Sequence, residues 1–447
     1  MNEERQRTRL RLQRARLTIA ANIASRGLAF LVVFASARIA LPDLGPIRFG
    51  IWMAISSLLL LLTFLDFGVG NGLVAPIASA MAAGDKSKAA AVATRGLALS
   101  AGWGVVLGGG LAVASWLAPI GWLFKGASPP DLVEARSGLM TFALLMGASP
   151  ALGAVGRILA GIQRGYLSYL TSAAGSIVTV LLLLTLGRSG NLGVAGYILI
   201  TFGLVQISAL AAGVFIWRQG LLRIDLLRGG SWQDYRPLLA SGGLFFGLQI
   251  AAMFGWGLDQ TFISAISGPA AVATYSVVTR IYMLVSQPLY IFNAPLWAAN
   301  ADALHSGDID FVRSGLRKSL LITSAGALLG GLTMVAAGPW IWTAFTKGQL
   351  AFPATLMITF AIWTLVESTG NAFAMYLNGA HIVREQLTTM AAFVAIAVPL
   401  KILVLHWAGP ALLPLVTAGA YVTSMLVAYG LVFRDRITQP LRGGGLA

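Results

Sequence analysis

Cysteine is absent from the 447 residues, which excludes a disulfide framework, a thiol nucleophile and any thiolate metal site. Histidine is almost absent. His305, His381 and His406 stand near the ends of apolar runs, outside any metal-ligand or acid–base grouping, so no catalytic residue and no bound metal is expected. Charge is scarce as well, at 11% of residues against 57% hydrophobic, with a mean hydropathy of +0.79. A soluble domain carries about 25% charged residues, so this composition points to an integral membrane protein. Acids are the rarer sign, 16 against 31 Lys and Arg, giving a formal net charge of +15. The basic residues lie between apolar runs instead of forming one stripe or arm, which argues for membrane lipids as partners and against nucleic acid.

Long apolar runs are what the chain has in abundance. They predict spans near 17–40, 48–70, 94–118, 137–160, 167–187, 194–217, 238–265, 271–295, 317–343, 352–377, 386–406 and 411–433. The basic opening MNEERQRTRLRLQRARL leads into an apolar stretch too long for a cleaved signal, so an uncleaved first helix is expected. Alternate loops collect most of the basic residues, among them Arg95, Arg164, Arg218, Arg223, Arg313, Arg317, Lys318 and Arg434. The expectation is therefore an all-α polytopic protein of about twelve transmembrane helices, N-in and C-in.

The longest connection separates a first lobe, 1–217, from a second, 238–447, through a cytoplasmic linker, 218–237. Both six-helix lobes would start on the same side, so a repeat would follow a pseudo-two-fold axis along the membrane normal. Gly84-Asp85 and Gly307-Asp308 stand 223 residues apart, and the same offset carries Arg95 onto Lys318. Gly102, Gly104 and Gly108 to Gly110 allow close helix approach in the third span, while Pro288 and Pro295 permit a bend in the eighth.

Five charges fall deep inside spans: Arg26, Asp66, Asp259, Arg280 and Glu367. Arg38, Arg48 and Lys401 lie within snorkelling reach of a span end. Deep charges are costly in hydrocarbon and need a partner, a water-filled cavity or a role in transport. Asn22 precedes Arg26 by one turn; Ser276 and Gln287 share the face of Arg280; Gln249 and Trp256 accompany Asp259. Trp363, Glu367 and Asn371 follow i, i+4, i+8 spacing, and Asp66 continues a face with Ser56 and Thr63. One reading is structural: the seventh and eighth spans form a hairpin in which Asp259 and Arg280 reach similar depths and can pair. The other is functional. Arg26 and Arg280, with Asn22, Gln249 and Gln287, would bind an anionic group, and Asp66, Asp259 or Glu367 would couple or gate transport through a proton or sodium ion.

Two segments, Phe49 to Asp85 and Ser267 to Leu284 followed by APLWAANADALHSGD, resemble polysaccharide flippases of the Wzx type. These belong to the multidrug, oligosaccharidyl-lipid and polysaccharide exporter superfamily. The chain departs from the pattern at Ala298-Ala299-Asn300. The resemblance implies movement of an undecaprenyl diphosphate-linked oligosaccharide from the inner to the outer leaflet of a bacterial inner membrane by two rocking lobes. It also implies a polysaccharide polymerase and chain-length regulator as further partners, an ion gradient as driving force and no cofactor. A drug and cation antiporter of the same fold and a lipid-modifying membrane enzyme are the competing expectations; the former would want an acidic, aromatic-lined cavity.

Overall fold

The computed structural model describes residues 2–58, 69–187, 192–227 and 243–442, and every regular element among them is helical. Asp66 and Thr63 lie outside the described residues. The chain divides into two compact units, one of Met1–Trp122 with Ala127–Phe246, the other of Leu123–Gly126 with Gly247–Ala447.

The first unit contains α1 (Asn2–Ser57), α2 (Val69–Ala82), α3 (Lys86–Leu117), α4 (Pro129–Gly161), α5 (Gly165–Leu186) and α6 (Val194–Arg218). Helix α1 is two helices meeting at Gly45, whose φ of 69° suits glycine and whose neighbours include Pro42 and Pro46. Just beyond that break, Arg48 pairs with Asp131 of α4 at 2.8 Å instead of only reaching for the interface. The tightest seam is α3 on α4. A Cβ on Gly108 would stand 2.6 Å from the Gly147 Cα, and one on Gly104 would strike the Gly147 carbonyl. Gly109 has no atom within 4 Å of its would-be Cβ, so only part of the glycine stripe serves the approach. Gly108→Leu should destabilise the detergent-solubilised protein by about 1–3 kcal/mol through overpacking, with Gly109→Ala nearly neutral, as measured by thermal unfolding.

The second unit contains α7 (Gly243–Ala252) from Gly247 onward, α8 (Asp259–Ser267), α9 (Pro269–Asn293), α10 (Leu296–Ser306), α11 (Ile309–Ala336), α12 (Gly338–Thr346), α13 (Ala354–Gly379), α14 (Val383–Trp407), α15 (Pro410–Val432) and α16 (Arg434–Thr438). Helix α13 is its spine, packing on α9, α10, α11 and α15. The eighth apolar run ends as α9 at Asn293, and Pro295 opens α10, so that proline separates two helices while Pro288 sits inside the first. Through Ala298, Ala299 and Asn300, α10 is a regular helix, with Asn300 buried against Gly379.

The two units repeat local geometry. Asp85 caps α3 by accepting from the Lys88 amide at 2.8 Å, and Asp308 caps α11 by accepting from the Phe311 amide at 3.0 Å. Gly84 and Gly307 take φ of 75° and 77°, and the amides of Asp85 and Asp308 reach back to the carbonyls of Ala80 and Ala303. A second pair was not visible in the sequence. After α4 and α13, Gln163 and His381 take φ of 58° and 57°, and the amides of Arg164 and Ile382 return to Leu159 and Leu377.

Among the described residues, eight helices are long and apolar enough to cross a membrane. The runs missing from those eight are the second, seventh, eighth and tenth, which carry Asp66, Asp259, Arg280 and Glu367. Part of the second and of the seventh lies outside the described residues. Helices α9 and α13, fully described at 25 and 26 residues, fall short through their polar content, not their length.

Candidate functional site

Most of the deep polar chemistry gathers inside the second unit. Between α7 and α8 the backbone winds into one π-helical turn, Met253–Gly257, and Gly255 lies so close to the Phe393 ring that a Cβ there would collide. Such turns release carbonyls from the regular ladder and recur at functional sites. Here Lys401 of α14 donates from Nζ to the Gly255 carbonyl and to Asp259 Oδ1, the latter at 2.6 Å. Asp259 Oδ2 accepts from the Tyr275 hydroxyl at 3.0 Å. Lys401 is 0% exposed and Asp259 5%, so the pair is fully withdrawn from solvent.

This arrangement corrects two expectations. Asp259 forms its ion pair with Lys401, not with Arg280, because the π turn and the first turn of α8 carry the carboxylate toward α14. Lys401, although six residues from the end of α14, does not snorkel to an interface. The sequence did hold a signal: three deep acids against two deep cations left one acid without a counter-charge.

Arg280 lies on α9, 9% exposed, with Ser276 buried one turn before it and Gln287 half-buried two turns after. In the first unit, Arg26 donates from Nε to Asn22 Oδ1 at 3.0 Å, so the short polar stripe expected there forms, on an exposed face. Gln249 is half-buried on α7.

Glu367, on the spine helix α13, has the Tyr290 hydroxyl of α9 beside it. One turn before it, Trp363 packs against Trp256 at 5.9 Å and Tyr421 at 6.1 Å, and Phe393 closes the aromatic group at 5.5 Å from Tyr421. One turn after it, Asn371 accepts from Asn293 at 3.4 Å, while Asn293 Oδ1 accepts from Ser319 and Thr323 at 3.2 Å each. Thus the Trp363, Glu367, Asn371 stripe faces a polar and aromatic interior shared by α9, α11 and α15. Tyr275, Tyr290 and Asn293 were missed from sequence because tyrosine and asparagine in a span are usually interfacial or packing residues, and only their distant partners reveal them.

A search of the curated proteins finds no match. The fold is that of solved transporters. An inward-facing multidrug resistance MATE family transporter of the MOP superfamily superposes with a TM-score of 0.75 at 17% identity, covering 94% of this chain and 99% of the other. An outward-facing form gives 0.68 at 17% identity, covering 96% of each. A MOP superfamily transporter from Pyrococcus furiosus, described as having a binding pocket of reversed polarity, gives 0.58 at 17% identity and 96% of each chain. Fold and composition together make this a multi-pass helical membrane protein. A family model described as polysaccharide biosynthesis protein matches residues 12–296, and the chain belongs to that family.

Proposed function

We propose that the protein is a flippase that carries a diphosphate-linked lipid oligosaccharide from the cytoplasmic to the periplasmic leaflet of a bacterial inner membrane, serving surface polysaccharide synthesis. The observation that carries this reading is Arg280, a guanidinium nine-tenths buried in a helix within the matched family region. A guanidinium keeps its charge and offers forked donors that match phosphate oxygens, so it suits a diphosphate better than an ammonium. Within the second unit, Gln249 and Gln287 are the polar companions proposed for Arg280, and in the first unit Arg26 with its Asn22 contact is a further cation proposed to meet the substrate. Transport requires the substrate to bind the two facing states with different affinities, and ion coupling supplies that difference. Glu367 is the acid proposed for coupling, since a hydroxyl, that of Tyr290, is its neighbour, whereas Asp259 is committed to Lys401. A polymerase and a chain-length regulator would act on the delivered substrate.

The aromatic group of Trp256, Trp363 and Tyr421 near Glu367 favours a second reading, a drug and cation antiporter. Cations over aromatic faces are held by the ring quadrupole. One experiment separates the two. Leaflet-resolved transport of a lipid-linked oligosaccharide in proteoliposomes should fall more than about tenfold in Arg280→Ala, the loss of roughly 1.4 kcal/mol or more of binding, with partial activity in Arg280→Lys. Normal flux in folded Arg280→Ala would remove the flippase assignment of this residue, and transport of an organic cation by wild type with none of the oligosaccharide would establish the antiporter.

A further inference from the structure

The second unit carries an apolar cleft that borders the aromatic group described above at Tyr421. Helix α13 forms its floor and α11 and α15, both packed on α13, form its walls. The cavity holds about 670 Å³ and is lined by Leu320, Val366, Phe373, Val422, Leu426 and Gly430 among others. That is ample for the chain of a lipid, since pockets of roughly 300–1,000 Å³ enclose whole small ligands. Two of its few polar lining groups, Ser324 and Thr369, share a 2.9 Å hydrogen bond.

The surroundings say what fills it. Leu426 lines the cleft yet is 67% exposed, and Leu321, Ile322, Val427 and Leu431 continue an exposed apolar surface from both walls. Helices α11 and α15 are among the eight apolar enough to span a membrane, so the cleft is continuous with surface that faces hydrocarbon. A dry apolar slot at that depth is filled by hydrocarbon chains. One end of the cleft is different. There Ile437 of α16 joins Val312, Leu316 and Tyr376 in one apolar cluster, and the Arg313 Nε donates to the Leu441 carbonyl at 2.8 Å, bringing the start of α11 against the chain after α15. Arg313, Arg317, Leu320 and Ser324 follow helical spacing along one face of α11, and Arg434 precedes Ile437 by three residues on α16. Arg317, Arg434 and Arg436 are exposed, and the nearby acids Asp310 and Asp435 leave this end with an excess of positive charge. Basic pockets between membrane helices bind anionic lipid head groups.

We propose that this cleft binds one anionic phospholipid, with an acyl chain along α13 between α11 and α15 and the phosphate met by Arg317 and Arg434. The bound lipid is distinct from the transported substrate, and Arg280 does not line its cleft.

Native mass spectrometry of the detergent-purified full chain, titrated with dioleoyl phosphatidylglycerol or phosphatidylethanolamine, tests it. Wild type should retain one phosphatidylglycerol and bind it several-fold better than phosphatidylethanolamine. Gly430 has no atom within 4 Å of its would-be Cβ, so Gly430→Phe can fill the cleft without backbone collision and should lower occupancy by either lipid several-fold. Val422→Trp, from the exposed wall of α15, should do the same if Gly430→Phe does not fold. Arg317→Gln with Arg434→Gln should abolish the head-group preference while leaving phosphatidylethanolamine binding intact. Unchanged phosphatidylglycerol occupancy in a folded, filled variant overturns the proposal, as does equal binding of the two lipids by wild type. A wild-type dimer made monomeric by Gly430→Phe would overturn it too, by showing that a second copy covers the cleft.

Discussion

Lys401→Ala lowers the unfolding free energy of the solubilised protein by about 3–5 kcal/mol, the cost of leaving a buried charge without its partner. The ammonium satisfies Asp259 Oδ1 and the Gly255 carbonyl together, so its removal strands both a carboxylate oxygen and a π-turn carbonyl. Asp259→Ala should cost a similar amount, and Tyr275→Phe only about 1 kcal/mol, the net worth of one hydrogen bond. The double variant Lys401→Met, Asp259→Leu should recover most of the loss, since a well-packed apolar pair of similar volume is often neutral relative to a buried ion pair. Denaturant or thermal unfolding in detergent gives all four values. A loss of under about 1 kcal/mol in Lys401→Ala, the level of an exposed pair, would mean that water reaches the site and that the pair does not join α8 to α14.

Glu367→Gln uncouples flux from an imposed ion gradient. In the same proteoliposomes, the stimulation given by a proton or sodium gradient should collapse, by about 5–150-fold if the coupling free energy has the usual size of 1–3 kcal/mol. Flux without a gradient should change little. The neighbouring Tyr290 hydroxyl can donate to a carboxylate or accept from a carboxylic acid, so it suits either protonation state of Glu367. Tyr290→Phe is accordingly expected to weaken coupling less than Glu367→Gln. Gradient-stimulated flux that survives Glu367→Gln would move the coupling role elsewhere, and Asp259→Asn in a Lys401→Met background would then be the variant to examine.

How legible each part was in the sequence depended on the range of the interaction that creates it. Gly307-Asp308 is a local device: a left-handed glycine followed by a capping acid closes its turn within four residues, so the residue types alone foretold it. The Asn22–Arg26 contact is equally local, one helical turn long. Lys401 and Asp259 are 142 residues apart, and only packing of α8 against α14 decides that Asp259 meets this cation and not the nearer Arg280. The π turn at Met253–Gly257 was invisible for a related reason, since the apolar periodicity of an ordinary helix and of one with an inserted turn differ by a single residue. Glu367 was legible as a deep acid on a face with Trp363 and Asn371, but the tyrosine that defines its chemistry comes from α9.

The shortfall in hydropathy of α9 and α13 bears on biogenesis. Helices leave the insertion machinery for lipid according to their apolarity, and a charged residue at the centre of one costs about 2.5–3.5 kcal/mol on that scale. Segments such as these are therefore expected to wait beside the nascent chain until neighbours such as α11 arrive to shelter Arg280 and Glu367. A substitution that makes either helix greasier would then raise the yield of membrane-integrated protein while silencing it. Expression level would be a misleading guide to health in this chain: its best-inserting variants would include its dead ones.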